Sequence, residues 1–114
     1  MSAITTHVLD ISQGRPAGGV QVQLEFEVSA SVWQMIGAGM TDEDGRLRSL
    51  LSPDHRLIQG NYRITFKTGA YFAQHRIEGF YPEVSIIFTI REAAQHYHVP
   101  LLLSPFGYST YRGS

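Results

Sequence analysis

The chain has 114 residues, 43% of them hydrophobic, with nine Lys and Arg against ten Asp and Glu, five His and no Cys. That balance offers no basic field to attract nucleic acid, and the longest apolar runs fall far short of the roughly 20 residues a membrane-spanning helix needs. Disulfide frameworks and thiol chemistry are excluded. Met1 to His7 lacks a basic stretch followed by an apolar one, so a single domain spanning residues 1–114, with a cytoplasmic location, is the expectation.

Along the chain, Ile4, Thr6, Val8 and Asp10 alternate with Thr5, His7, Leu9 and Ile11, which predicts a strand, and the Ser12–Gly19 segment that follows reads as a turn. Val20, Val22, Leu24, Phe26 and Val28 then alternate with Gln21, Gln23, Glu25 and Glu27, a strand with one wet face. Residues 31–40 are rich in strand formers but hold Gly37 and Gly39, as in a bent or bulged strand. Asp42-Glu43-Asp44-Gly45 forms a tight turn into a short strand, Arg46 to Arg48. The later ligands of a calcium loop do not follow it.

Alternation resumes over residues 60–68, where Tyr62, Ile64 and Phe66 share a face. Residues 71–78 read as two turns of helix, stopped by Gly79. Residues 83–91 form a core strand through Val84, Ile86, Phe88 and Ile90. In the next strand Tyr97, Val99, Leu101 and Leu103 face the core. The opposite face carries His96, His98, Pro100 and Leu102, too apolar for open water and too polar for a dry interior, so it faces a pocket or a partner. Pro100 marks an edge or an irregular position, because it cannot donate to a ladder. After the turn Ser104-Pro105-Phe106-Gly107, Tyr108 to Ser114 reads as a final strand held almost to the last residue. About eight short strands and one short helix predict an all-β class, an antiparallel sandwich of two sheets.

His7, Arg46 and His98 each have an ordinary structural explanation when taken singly. Neither a metal nor another cofactor is expected, since no pair of histidines lies closely spaced on a helix and His96 with His98 is a weak pair. His55, His75 and His96 are expected to take no part in chemistry.

Taken together, Thr6-His7-Val8-Leu9-Asp10, Thr41-Asp42-Glu43-Asp44-Gly45-Arg46, His98 and the closing Tyr111-Arg112-Gly113-Ser114 resemble the 5-hydroxyisourate hydrolases, the enzymatic branch of the transthyretin-like proteins. The resemblance runs from Ile4 to Ser114, and the closing tetrapeptide is its most specific part. It implies a transthyretin-like sandwich, a homotetramer, and cofactor-free opening of a ring amide of 5-hydroxyisourate in urate degradation. The hormone-carrying transthyretins share the Leu102-Leu103-Ser104-Pro105 turn but lack the two histidines, the arginine and the closing tetrapeptide. A non-catalytic small-molecule binding protein is therefore the alternative, with a purely structural sandwich third.

Under this resemblance His7 and His98 handle water and its proton, because neutral imidazole suits base work near pH 7. Arg46 and Arg112 hold carbonyl oxygens or an anionic substrate, and Ser114 offers its hydroxyl and the terminal carboxylate. Tyr111 and Gly113 complete the substrate-binding set. Either histidine can be the base, and either group of Ser114 can act. A regular strand puts Tyr111 and Gly113 on one face and Arg112 and Ser114 on the other, so a pocket shared by Tyr111 and Ser114 requires a turn at Gly113.

Overall fold

Alternation in the sequence becomes two sheets in the structure, a computed structural model that describes residues 3–114. Met1 and Ser2, which begin the segment read above as unlike a signal sequence, lie outside the described residues. The elements are β1 (Ile4–Asp10), β2 (Arg15–Pro16), β3 (Gln21–Ser29), β4 (Val32–Met40), β5 (Arg46–Leu47), β6 (Gly60–Phe66), α1 (Thr68–Gln74), β7 (Val84–Ile90), β8 (Tyr97–Ser104) and β9 (Gly107–Thr110). One sheet runs β2-β1-β8-β9 with β5 also on β1, and the other runs β4-β3-β6-β7. No described helix is long and apolar enough to cross a membrane.

The first sheet is built around β1. One edge of β1 carries β5 at Thr6 and His7, then β2 at Leu9 and Asp10. Its other edge pairs with β8 in parallel, from Ile4 opposite Tyr97 to Asp10 opposite Leu103. The expected sandwich forms, with this parallel pair as its departure from antiparallel order. Parallel neighbours need a long crossover, and here most of the chain serves as one.

Apart from Val28, which is 49% exposed near the end of β3, the inner faces read from alternation are the inner faces observed. Ile4 and Val8 of β1, Leu24 of β3, Ile64 of β6 and Leu101 and Leu103 of β8 are all at most 2% exposed. Truncating one of them to Ala costs about 2–5 kcal/mol, because the lost burial adds to the cavity left behind. The predicted bulge in the third long strand lies at Ile36: Leu24 pairs with Gly37 but Glu25 with Met35, leaving Ile36 unopposed.

Beyond shifts of one or two residues at strand ends, three features differ from expectation. The two-residue strand β2 lies where a turn is predicted. The helix covers 68–74 rather than 71–78 because Arg76, at φ 58°, closes it before Gly79 is reached. Ile77 N–H donates to Phe72 O at 2.9 Å and Arg76 N–H to Ala73 O at 3.1 Å, the two bonds of a Schellman closure with arginine in the left-handed position usually given to glycine. Finally, β9 stops at Thr110 instead of continuing to the end. Pro100 of β8 stands where Tyr111 would pair and has no N–H to give, while its carbonyl accepts from Thr110 Oγ1 at 2.7 Å. The ladder resumes as a single bridge in the same register, His98 with Gly113.

Candidate active site

Three segments converge on the outer face of the first sheet. On β1, Thr5 and His7 point away from the core residues Ile4, Thr6 and Val8, and their register places Thr5 opposite His98 and His7 opposite Pro100. On β5, Arg46 pairs with His7. What delivers Arg46 is the turn before it: Asp42 Oδ1 accepts from Asp44 N–H and Arg46 N–H, both at 2.9 Å, and Gly45 takes φ +76°. These bonds, with Arg46 N–H first, hold the Asp42 carboxyl below its usual range. The same turn fixes His7, whose Nε2 lies 2.8 Å from Asp44 O. A carbonyl only accepts, so Nε2 carries the proton and a neutral His7 keeps its lone pair on Nδ1.

His98 is held on three sides. Its carbonyl accepts from Gly113 N–H at 2.8 Å, and its Nδ1 lies 2.8 Å from Thr5 Oγ1. Against its ring lies Gly113 itself, where a Cβ would fall 2.6 Å from His98 Cδ2. Only glycine admits the ring in this position. Nε2 has no hydrogen-bond partner among the described residues. Burial, then the charges of His7, Arg46 and His96, hold the His98 pKa below its ordinary value of 6.5, with the Thr5 hydrogen bond acting in the other direction. At neutral pH this imidazole is therefore unprotonated.

A cavity of about 170 Å³ opens beside it, lined by Thr5, Thr6, Arg46, Arg48, His96, His98 and Ser114. An uncharged imidazole with a free nitrogen, two guanidiniums and the hydroxyls of Thr5 and Ser114 form a polar recess whose lining includes no acidic side chain. Such a set can accept a proton from water and stabilise negative charge on a nearby oxygen. Among the described residues no group of three or more His, Asp and Glu is placed to hold a metal ion.

The predicted residues are thus divided. Arg46, His98 and Ser114 meet in the recess, His7 stands beside it on β1, and Gly113 seats the His98 ring. Tyr111 and Arg112 line a second, more apolar cavity of about 270 Å³ with Ile86, Phe88, Tyr97 and Val99. Arg112 is stacked 4.4 Å over the Tyr97 ring and donates to Gln95 Oε1 at 2.8 Å. Alternation does break at Gly113, since Arg112 and Ser114 line different cavities; within one protomer Tyr111 and Ser114 do not share a pocket. Sequence reasoning passed over Thr5 and Arg48, and put His96 on the face of His98 without giving it a part in chemistry. Each lies two residues from a predicted site residue, His7, Arg46 or His98, the spacing that returns a strand to the same face, and that is the signal that could have found them.

Comparison with known proteins follows the same lines. The family model described as HIUase/Transthyretin matches residues 4–113. A probable 5-hydroxyisourate hydrolase of Caenorhabditis elegans is 51% identical over 99% of this chain and 82% of its own. Among solved structures, the 5-hydroxyisourate hydrolase of Klebsiella pneumoniae superposes with a TM-score of 0.85 at 38% identity, covering 97% of this chain and 98% of that one. Sea bream transthyretin in complex with thyroxine superposes with a TM-score of 0.91 at 30% identity, covering 98% and 95%. Backbone likeness alone does not separate the enzyme from the carrier, whereas sequence identity is higher to the hydrolases. On the family model's match over residues 4–113 and these identities over nearly the whole chain, the chain belongs to the HIUase/transthyretin family.

Proposed function

We propose that this chain hydrolyses 5-hydroxyisourate, opening a ring amide with an activated water molecule in urate degradation. The observation that carries the reading is the neutral His98, its Nε2 free, beside Arg46 and Arg48 in a polar recess. Water bonds to the amide carbon as its proton passes to His98 Nε2. The carbonyl oxygen gains negative charge, which the guanidiniums stabilise. The C–N bond then breaks and the ring nitrogen takes a proton. His7, with its lone pair on Nδ1, assists in handling protons, and the oxygens of Ser114 position water or substrate. Arg112 and Tyr111 bind substrate from the adjoining cavity. Among the described residues no carboxylate pairs with Arg112, so its charge is available to an anionic ligand.

The reading extends to a single-domain cytoplasmic protein working as a homotetramer. The strands β7 and β9 that end the two sheets flank the apolar cavity, and a second copy would cover both it and the half-buried outer face. Sedimentation tests the assembly and cell fractionation the location.

The deciding experiment follows the absorbance of freshly made 5-hydroxyisourate, which should decay faster with the protein than without it. A carrier would bind the compound in titration and leave its decay at the spontaneous rate.

A further inference from the structure

One hydroxyl stands between two imidazoles. Thr5 Oγ1 lies 2.8 Å from His98 Nδ1 and 3.1 Å from His96 Nε2. Thr5 is only 4% exposed and is fixed opposite His98 by the parallel register, while His96 is exposed at the surface end of the row. A hydroxyl has one proton to donate, so the row has two self-consistent settings. In one, His98 Nδ1–H donates to Thr5, Thr5 donates to His96 Nε2, and His98 Nε2 holds a lone pair. In the other every bond is reversed, and His98 Nε2 carries the proton.

We propose that Thr5 and His96 act as a proton relay for His98, positioning residues that set its tautomer and connect its buried nitrogen to solvent. The proposal rests on the hydrolase reading above. As water bonds to the carbonyl carbon, its proton goes to His98 Nε2. The His98 Nδ1 proton passes to Thr5 Oγ1, the Thr5 proton passes to His96 Nε2, and the His96 Nδ1 proton leaves to bulk water. His98 is then neutral with Nε2–H, the donor the departing ring nitrogen needs. When that proton is given up, the Thr5 proton returns to His98 Nδ1, His96 Nε2–H reprotonates Thr5, and His96 Nδ1 recovers a proton from water.

The surroundings explain why a relay is favoured over a simple base. The groups around His98 are His7 on β1, Arg46 on β5, Arg48 just beyond it, His96 preceding β8, and Ser114. No acidic side chain lines the recess, and the positive groups of His7, Arg46 and His96 oppose an imidazolium at His98. Burial and those charges already hold His98 in its neutral form. Exchange of tautomers moves the proton without placing a charge on His98.

The test compares Thr5→Val, which keeps the shape and removes the hydroxyl, with Thr5→Ser, which restores it, and with His96→Gln at the exposed end. Two readouts are taken: steady-state kinetics on 5-hydroxyisourate, and the His98 tautomer from nitrogen-15 shifts of the ligand-free protein. Thr5→Val should lower kcat about tenfold or more, with KM within about twofold, and deplete the Nδ1–H tautomer of His98. His96→Gln should lower kcat in the same sense, and Thr5→Ser should recover most of the rate. An unchanged kcat or an unchanged tautomer in Thr5→Val overturns the relay; should that variant not fold, the same two readouts on His96→Gln decide. If the wild-type protein fails to speed decay of the substrate, the hydrolase reading falls, and the tautomer comparison alone then decides whether Thr5 and His96 set the state of His98.

Discussion

The two ends of β1 each bury a polar group, and they use it in opposite ways. At the C-terminal end Asp10 is 0% exposed and fully occupied: it accepts from Ser12 N–H at 3.1 Å, Ser12 Oγ–H at 2.6 Å, Gln13 N–H at 3.3 Å and Tyr71 O–H at 2.8 Å. Burial first, then the hydrogen bond and charge of Asp10, push the Tyr71 hydroxyl up to about 12, so that hydroxyl keeps its proton across the physiological range. At the N-terminal end Thr5 is equally enclosed, yet its partner His98 keeps one nitrogen without a bond and turns it toward a cavity. A buried polar group with every valence met ties elements together. One with a valence left over is available for chemistry.

That contrast can be broken most severely at His98. His98→Gln should lower kcat/KM by about 10²-fold or more while leaving the urea midpoint close to wild type, since a positioned base contributes about 10² to 10⁴. Next comes Arg46→Met, expected to cost about 10²-fold in kcat through the loss of a donor to the developing oxyanion. Gly113→Val should cost about tenfold or more, because the added Cβ displaces the His98 ring and misplacement alone is enough to slow a reaction. An active Gly113→Val protein would show that the ring tolerates the shift. At the other end of the strand Tyr71→Phe should behave in reverse: a loss of about 1–3 kcal/mol of stability by chemical denaturation, from leaving Asp10 short of a donor, with the rate unchanged.

The smallest effect is on pH dependence. Because protonated His98 is disfavoured in the folded chain, the acid limb of kcat/KM should lie below pH 6.5, and Arg46→Met should move it upward by removing a neighbouring positive charge. The stability sign follows from the same shift. The folded state binds fewer protons at His98 than the unfolded state, so its contribution is complete above the ordinary value of 6.5 and is lost as pH falls toward the depressed one. An acid limb above 6.5 in the wild-type protein would refute the assignment of His98 as the group that must be neutral.

Much of the fold could be read from period-two alternation. Val20 to Leu24 and Glu83 to Arg91 announce their inner faces residue by residue and burial follows that pattern, whereas Val28, read on the same face as Val20, is exposed at the end of β3. What alternation could not reveal was settled by backbone groups with no sequence signature of their own. Arg76 adopts a left-handed conformation that arginine composition does not advertise, and the parallel partnership of β1 with β8 depends on contacts more than ninety residues apart. Arg46, His98 and Ser114 of the recess, and His7 beside it, were named from motif and order. Thr5 was not, because a threonine in a strand is ordinary until its register is known. The proline in β8 was legible as an irregularity, though its consequence, a break opposite Tyr111 that frees the closing segment to carry Arg112 and Ser114 to different cavities, needed the structure.

The pairing of β1 with β8 also governs when the molecule becomes competent. Thr5 lies more than ninety residues before His98 and Gly113, so the whole intervening stretch must be made before the recess can exist. Association of such distant segments carries a large loop-closure entropy and comes late in folding. Until that last seam closes, a chain that has already formed the β4-β3-β6-β7 sheet can neither bind nor turn over its substrate.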